Sequence, residues 1–110
     1  MIHVQKFLNV KSQQLAYFVR AFWNDRIVYN ELDLYFWDTM EEWSQVSHLA
    51  NQPISQREQV FWYVLHQLHF WPEQKLREDI NVRSDLDLCV HFLESQENYP
   101  FPFEYSGARP

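Results

Sequence analysis

Apolar residues recur at helical spacing along most of the chain, and the most regular stretch is Ser55–Trp71, SQREQVFWYVLHQLHFW. Phe61, Val64, Leu65 and Leu68 stand at i, i+3, i+4 and i+7, which places their side chains on one helical face. Ser55 with Glu58 three residues on has the form of a capping box, in which each side chain satisfies an orphan donor of the first turn. The other faces carry Trp62, Tyr63 and Phe70. A helix apolar nearly all round is enclosed by other elements, so this one is expected to be central.

Upstream, Ile2–Val10 is ambiguous between a first helical turn and an edge strand. Ser12 can serve as an N-cap for a helix reaching Trp23, with Leu15, Phe18, Val19 and Phe22 at helical spacing. Asn24-Asp25 breaks that helix, because short polar side chains bond their own backbone. Tyr29–Ala50 has two readings. As a helix capped by Asn30 it sets Leu32, Phe36, Met40, Trp43, Ser47 and Ala50 in one stripe. As a strand, Leu32, Leu34 and Phe36 alternate with Asp33, Tyr35 and Trp37, and residues 26–29 become a neighbouring strand. The stripe persists much longer than the alternation, which favours helix.

Pro53 ends this segment, since it lacks the donor a helix interior needs. Pro72–Ile80 reads as a short surface helix, with Glu73 and Arg77, and Lys75 and Asp79, as oppositely charged i,i+4 pairs. Ser84 with Asp87 opens a last helix to about Ser95, whose buried stripe is Leu86, Cys89, Val90 and Leu93. Beyond it, YPFPFEYSGARP is extended, because Pro100 and Pro102 exclude helix. The fold expected is mainly α: a compact bundle of four to five helices around Ser55–Trp71. Residues 1–98 form one domain, and residues 99–110 form an extended Pro/aromatic strap or a peptide offered to a partner. The alternative is an α+β fold with a small sheet from residues 2–9 and 26–37.

Composition supports the helical reading. Gly107 is the sole glycine, whereas tight hairpins commonly need Gly at positive φ. Nine Phe, six Tyr and five Trp exceed what a core of this size usually holds, so some must lie at its boundary. The dipeptide Phe-Trp recurs at 22–23, 36–37, 61–62 and 70–71. In the first three, Phe falls in a helix stripe and Trp roughly 100° round from it. Trp23, Trp37 and Trp62 are therefore expected to flank the core, as edge packing or as a contact surface. Cys89, alone in the sequence, cannot form an internal disulfide and is expected to pack as a small hydrophobe. No run approaches the ~18 apolar residues of a membrane span, and no signal peptide is evident. Cytoplasmic location is the default.

Charge narrows the partners. The net charge of −6 is divided unevenly. Residues 27–56 hold Glu31, Asp33, Asp38, Glu41 and Glu42 with no Lys or Arg, and residues 84–107 hold Asp85, Asp87, Glu94, Glu97 and Glu104, again with none. Two such blocks oppose the phosphate contacts on which nucleic-acid affinity depends. They suit a basic protein surface, through electrostatic steering.

Candidate chemistry is sparse. His66 and His69, three apart on the central helix, could share a metal, but a site needs further ligands such as Glu73, His48 or His91, and no motif demands them. Glu41-Glu42 and Asp85-x-Asp87 could be posed as acid and base, yet both read as first-turn carboxylates favoured by the helix dipole. There is no GxSxG, Walker loop, dinucleotide-binding Gly pattern or CxxC, so neither catalysis nor a cofactor is expected. The expectation is a small acidic protein-binding module: an inhibitor, an immunity- or antitoxin-like protein, or an adaptor covering a basic partner surface. Its patch combines Trp37, Glu41 and Glu42 with Tyr99, Phe101, Phe103 and Tyr105. The alternatives are a small-ligand or metal-binding domain using His66 and His69 with aromatic walls, and a homodimer with its tryptophans between protomers.

Overall fold

A computed structural model describes residues 2–47, 53–95 and 107–110. Five helices follow one another: α1 (Val4–Trp23), α2 (Tyr29–Trp43), α3 (Gln56–Phe70), α4 (Glu73–Glu78) and α5 (Ile80–Glu94). Two short strands, β1 (Ile2–His3) and β2 (Val46–Ser47), pair in parallel, Ile2 with Val46 and His3 with Ser47. The protein is a mainly α bundle. The four larger helices make the core: α1 and α3 pack on each other, and each also packs on α2 and α5. The α1–α3 pair thus stands between α2 and α5, and α4 packs on α5. Among the described residues no helix is long and apolar enough to cross a membrane.

Helix α3 occupies the place its pattern predicts. Its buried residues, Glu58, Val60, Phe61, Trp62, Val64, Leu65 and Leu68, spread over more than one face because α1, α2 and α5 all pack against it. The Ser55 side chain caps it, accepting a hydrogen bond from the Glu58 N–H at 3.1 Å. The stripe expected for α5 is also found, with Leu86, Cys89, Val90 and Leu93 all buried.

Several boundaries and placements differ from the sequence expectation. Helix α1 starts at Val4, and Ser12 lies buried inside it. One stripe runs through Val4, Phe7, Leu8, Lys11, Ser12, Leu15, Val19 and Phe22; two polar residues in its middle disguise its continuity. Helix α2 is capped at Val28 and ends at Trp43, short of Ala50, after which the chain turns into β2. The alternative sheet of residues 2–9 and 26–37 is not formed: Ile2–His3 pairs with Val46–Ser47, and residues 29–37 are helical. Trp62 does not flank the core but fills it, at 0% exposure, ringed by Phe7, Trp43 and Phe61 with centroids 6.2, 5.0 and 4.9 Å away. The break after α1 falls where expected, with Asp25 in the left-handed region at φ 57°.

The last helix opens at Ile80 rather than at Ser84. Asp79 ends α4 and caps α5, its carboxylate accepting from the Asn81 and Val82 N–H groups at 3.0 Å each. The Val82 N–H, then the Lys75 ammonium and the Asn81 N–H, hold the Asp79 carboxyl below its ordinary value. A carboxyl lowered on folding contributes stability above its unfolded pKa and loses it as pH falls through the folded one. Asp79→Asn is therefore expected to lower Tm at neutral pH, and this deficit should close as acid below the ordinary carboxyl value protonates Asp79 in the folded chain. Thermal melts of both proteins at pH 7 and in acid check this; a deficit that is the same at both pH values would contradict it.

Candidate functional site

The outer face of α2 gathers Glu31, Asp38 and Glu41, acidic groups without a cation among the described residues. Leu34, Trp37, Asp38, Glu41 and Gln45 recur at helical spacing and are all exposed, Trp37 at 56%. Asp38, Glu41, Glu42 and Gln45 line a shallow open depression beside the tryptophan. No Lys or Arg occurs in α2. Glu31, Asp38 and Glu41 have no ion-pair partner among the described residues.

The Trp37 ring is supported from below. Its edge meets Phe36 with centroids 5.0 Å apart, and His69 of α3 lies edge-on at 5.4 Å. His69 in turn stacks flat on Phe36, at 4.2 Å and 9°, with Nδ1 3.7 Å from Asp33 Oδ1. An exposed indole fixed by two neighbours loses little side-chain freedom on contact, which suits it to anchor a partner.

Glu42 differs from its neighbour Glu41. Its carboxylate lies 3.0 Å from the Lys11 Nζ, which α1 buries with only 5% of the side chain exposed. Lys11 also faces the Tyr35 ring at 4.9 Å, and the Tyr35 hydroxyl donates to the Lys11 carbonyl at 3.4 Å. Burial pushes the Tyr35 phenol upward. Glu42 is thus part of the α1–α2 packing as well as of the surface.

Both acidic pairs sit elsewhere than the sequence suggests. Glu41 and Glu42 lie in the last turn of α2, where the macrodipole disfavours negative charge. Asp85 and Asp87 lie beyond the first turn of α5. The described members of the second acidic block, Asp85, Asp87 and Glu94, are engaged within the fold. Asp85 accepts from the Tyr63 hydroxyl, and Arg20 of α1 binds both Asp87 and Glu94, the latter at 3.1 Å.

A second constellation had no signal in the sequence. Glu58, 1% exposed, receives the Trp62 Nε1–H at 3.0 Å and the Arg109 guanidinium, whose Nη2 lies 2.8 Å from Oε1 while Nε binds Oε2. The Arg109 side chain is itself only 11% exposed and sits over the Trp43 ring. The local pattern assigned Glu58 to the cap of α3, but its carboxylate turns inward, to a residue 51 positions away.

Of the remaining predicted site residues, Tyr99, Phe101, Phe103 and Tyr105 lie outside the described residues. His66 is half-buried and His69 exposed, and among the described residues no three His, Cys, Asp or Glu side chains converge as metal ligands would. No protein-family model, curated protein or solved structure matches this chain.

Proposed function

We propose that this chain is a protein-binding module whose α2 face covers a basic partner surface, in the manner of an inhibitor, an immunity- or antitoxin-like protein, or an adaptor. The observation that supports this most is Glu41. It stands in the last turn of α2, against the helix dipole and without a cation among the described residues. A local choice that opposes the fold, with no compensation inside it, is characteristic of a binding site. Trp37 lies one turn before Glu41, exposed and held in place, and supplies the apolar anchor. Asp38 and Glu41 beside it match Lys or Arg on the partner, and their field steers a cationic surface toward α2.

The same geometry separates the residues that can be altered without harm from one that cannot. Trp37→Ala and Glu41→Ala are expected to weaken capture of the partner from host lysate while leaving Tm within a few degrees, because neither side chain is buried. Captured protein should also fall steeply as salt is raised. Glu42→Ala is expected to cost about 1–2 kcal/mol of stability, since it removes the counter-charge from buried Lys11. Quantitative pull-down with parallel melts distinguishes these outcomes; capture that both Trp37→Ala and Glu41→Ala leave intact would remove the α2 face from consideration.

A further inference from the structure

The end of the sequence lies in a site with its own selectivity. At Gly107 the main chain runs directly against α3: a Cβ built there would stand 2.0 Å from the Gln59 carbonyl oxygen and 2.8 Å from the Tyr63 nitrogen. Both are backbone atoms of a helix and cannot swing aside, so only glycine fits. Ala108 is exposed. Arg109 then enters the space between Trp43 and α3, where Glu58 receives it through two parallel N–H···O bonds. Trp62 Nε1–H donates to Oε2 of that carboxylate, the oxygen that also receives Arg109 Nε. A planar fork fits this geometry, whereas a lysine ammonium can present only a point charge.

We infer that the groove between Trp43 and the first turns of α3 is a recognition site for a Gly-x-Arg segment, filled in this chain by its own residues 107–109. The site reads glycine by the absence of a side chain, ignores the middle residue, and reads arginine by a buried bidentate carboxylate. It is separate from the α2 face and does not depend on the reading of that face. Because the occupying segment is tethered, an outside segment competes against an effective concentration of about millimolar. The groove is therefore closed to Gly-x-Arg ligands until residues 107–109 lift from it.

Titration calorimetry on the full-length Arg109→Ala chain, checked by circular dichroism to be folded, tests this with the hexapeptide of residues 105–110, Tyr-Ser-Gly-Ala-Arg-Pro. The variant should bind the peptide. The peptide's Gly107→Ala form, whose Cβ meets the α3 backbone, and its Arg109→Lys form, which loses charge-assisted hydrogen bonds, should each bind about ten- to a hundredfold more weakly. The unaltered chain should bind the parent peptide at least about tenfold more weakly than the variant does. If Arg109→Ala does not fold, Arg109→Lys, which keeps a cation near Glu58, is the host for the same titrations. A folded host that takes up no parent peptide at millimolar concentration, or that binds all three peptides equally, overturns the inference. Trp37→Ala added to the host should leave the titration unchanged, which keeps this result distinct from that for the α2 face.

Discussion

Replacing Arg109 by Ala is expected to destabilise the folded chain by about 3–5 kcal/mol, a fall of roughly 10–20 °C in Tm. The reason lies in what remains behind. Glu58 is 1% exposed, and without the guanidinium its carboxylate would keep only the Trp62 N–H among the partners described above. An ionised group stranded in the interior costs far more than the pair gains when intact. The companion measurement is a double-mutant cycle. Glu58→Gln in the Arg109→Ala background should recover much of the loss, because a neutral amide is cheaper to bury than an uncompensated charge. Urea unfolding followed by tryptophan fluorescence would give all of these values. An Arg109→Ala protein within about 1 kcal/mol of the unaltered chain would show that the pair contributes little.

Trp62→Ala should have an effect of similar size, about 3–5 kcal/mol, the usual range for a large aromatic removed from a packed interior. Trp62→Phe separates the causes. It keeps most of the packing against Phe7, Trp43 and Phe61, yet removes the donor to Glu58, and about 1–3 kcal/mol is expected for that alone. A Trp62→Ala protein that lost less than about 1 kcal/mol would return Trp62 to the core edge, where its helical position first placed it.

That misplacement shows what the sequence could and could not convey. Periodicity located α3 and the α5 stripe because those segments carry apolar residues at unbroken helical spacing. It set Trp62 one step round from the stripe, which is geometrically right. Whether that step leads to solvent depends on how many neighbours surround the helix, and here three other helices do. Lys11 hid the start of α1 for a related reason. A long aliphatic stem can lie in a buried stripe when its ammonium finds a carboxylate, but Glu42 comes from a different helix.

The α2 face was partly legible. Trp37, Glu41 and Glu42 do share one helix end, and two of the three behave as surface residues should. Glu42, exposed as well, is also the counter-charge of buried Lys11, and no local pattern distinguishes it from Glu41. The Glu58–Arg109 pair was invisible, because nothing near Arg109 marks it and the residue it meets looked fully explained as a cap. Gly107 was noted as the sole glycine, but the backbone it approaches is known only once α3 is in place.

Arg20 makes the two acidic flanks of the bundle unequal. By holding Asp87 and Glu94 together, one guanidinium offsets part of the α5 charge, while Glu31, Asp38 and Glu41 of α2 have no ion-pair partner among the described residues. On the proposed reading, a cationic partner is drawn more strongly to the α2 side, where Trp37 stands. Were that guanidinium lost, the two flanks would differ less, and on the same reading more encounters would begin on the α5 side.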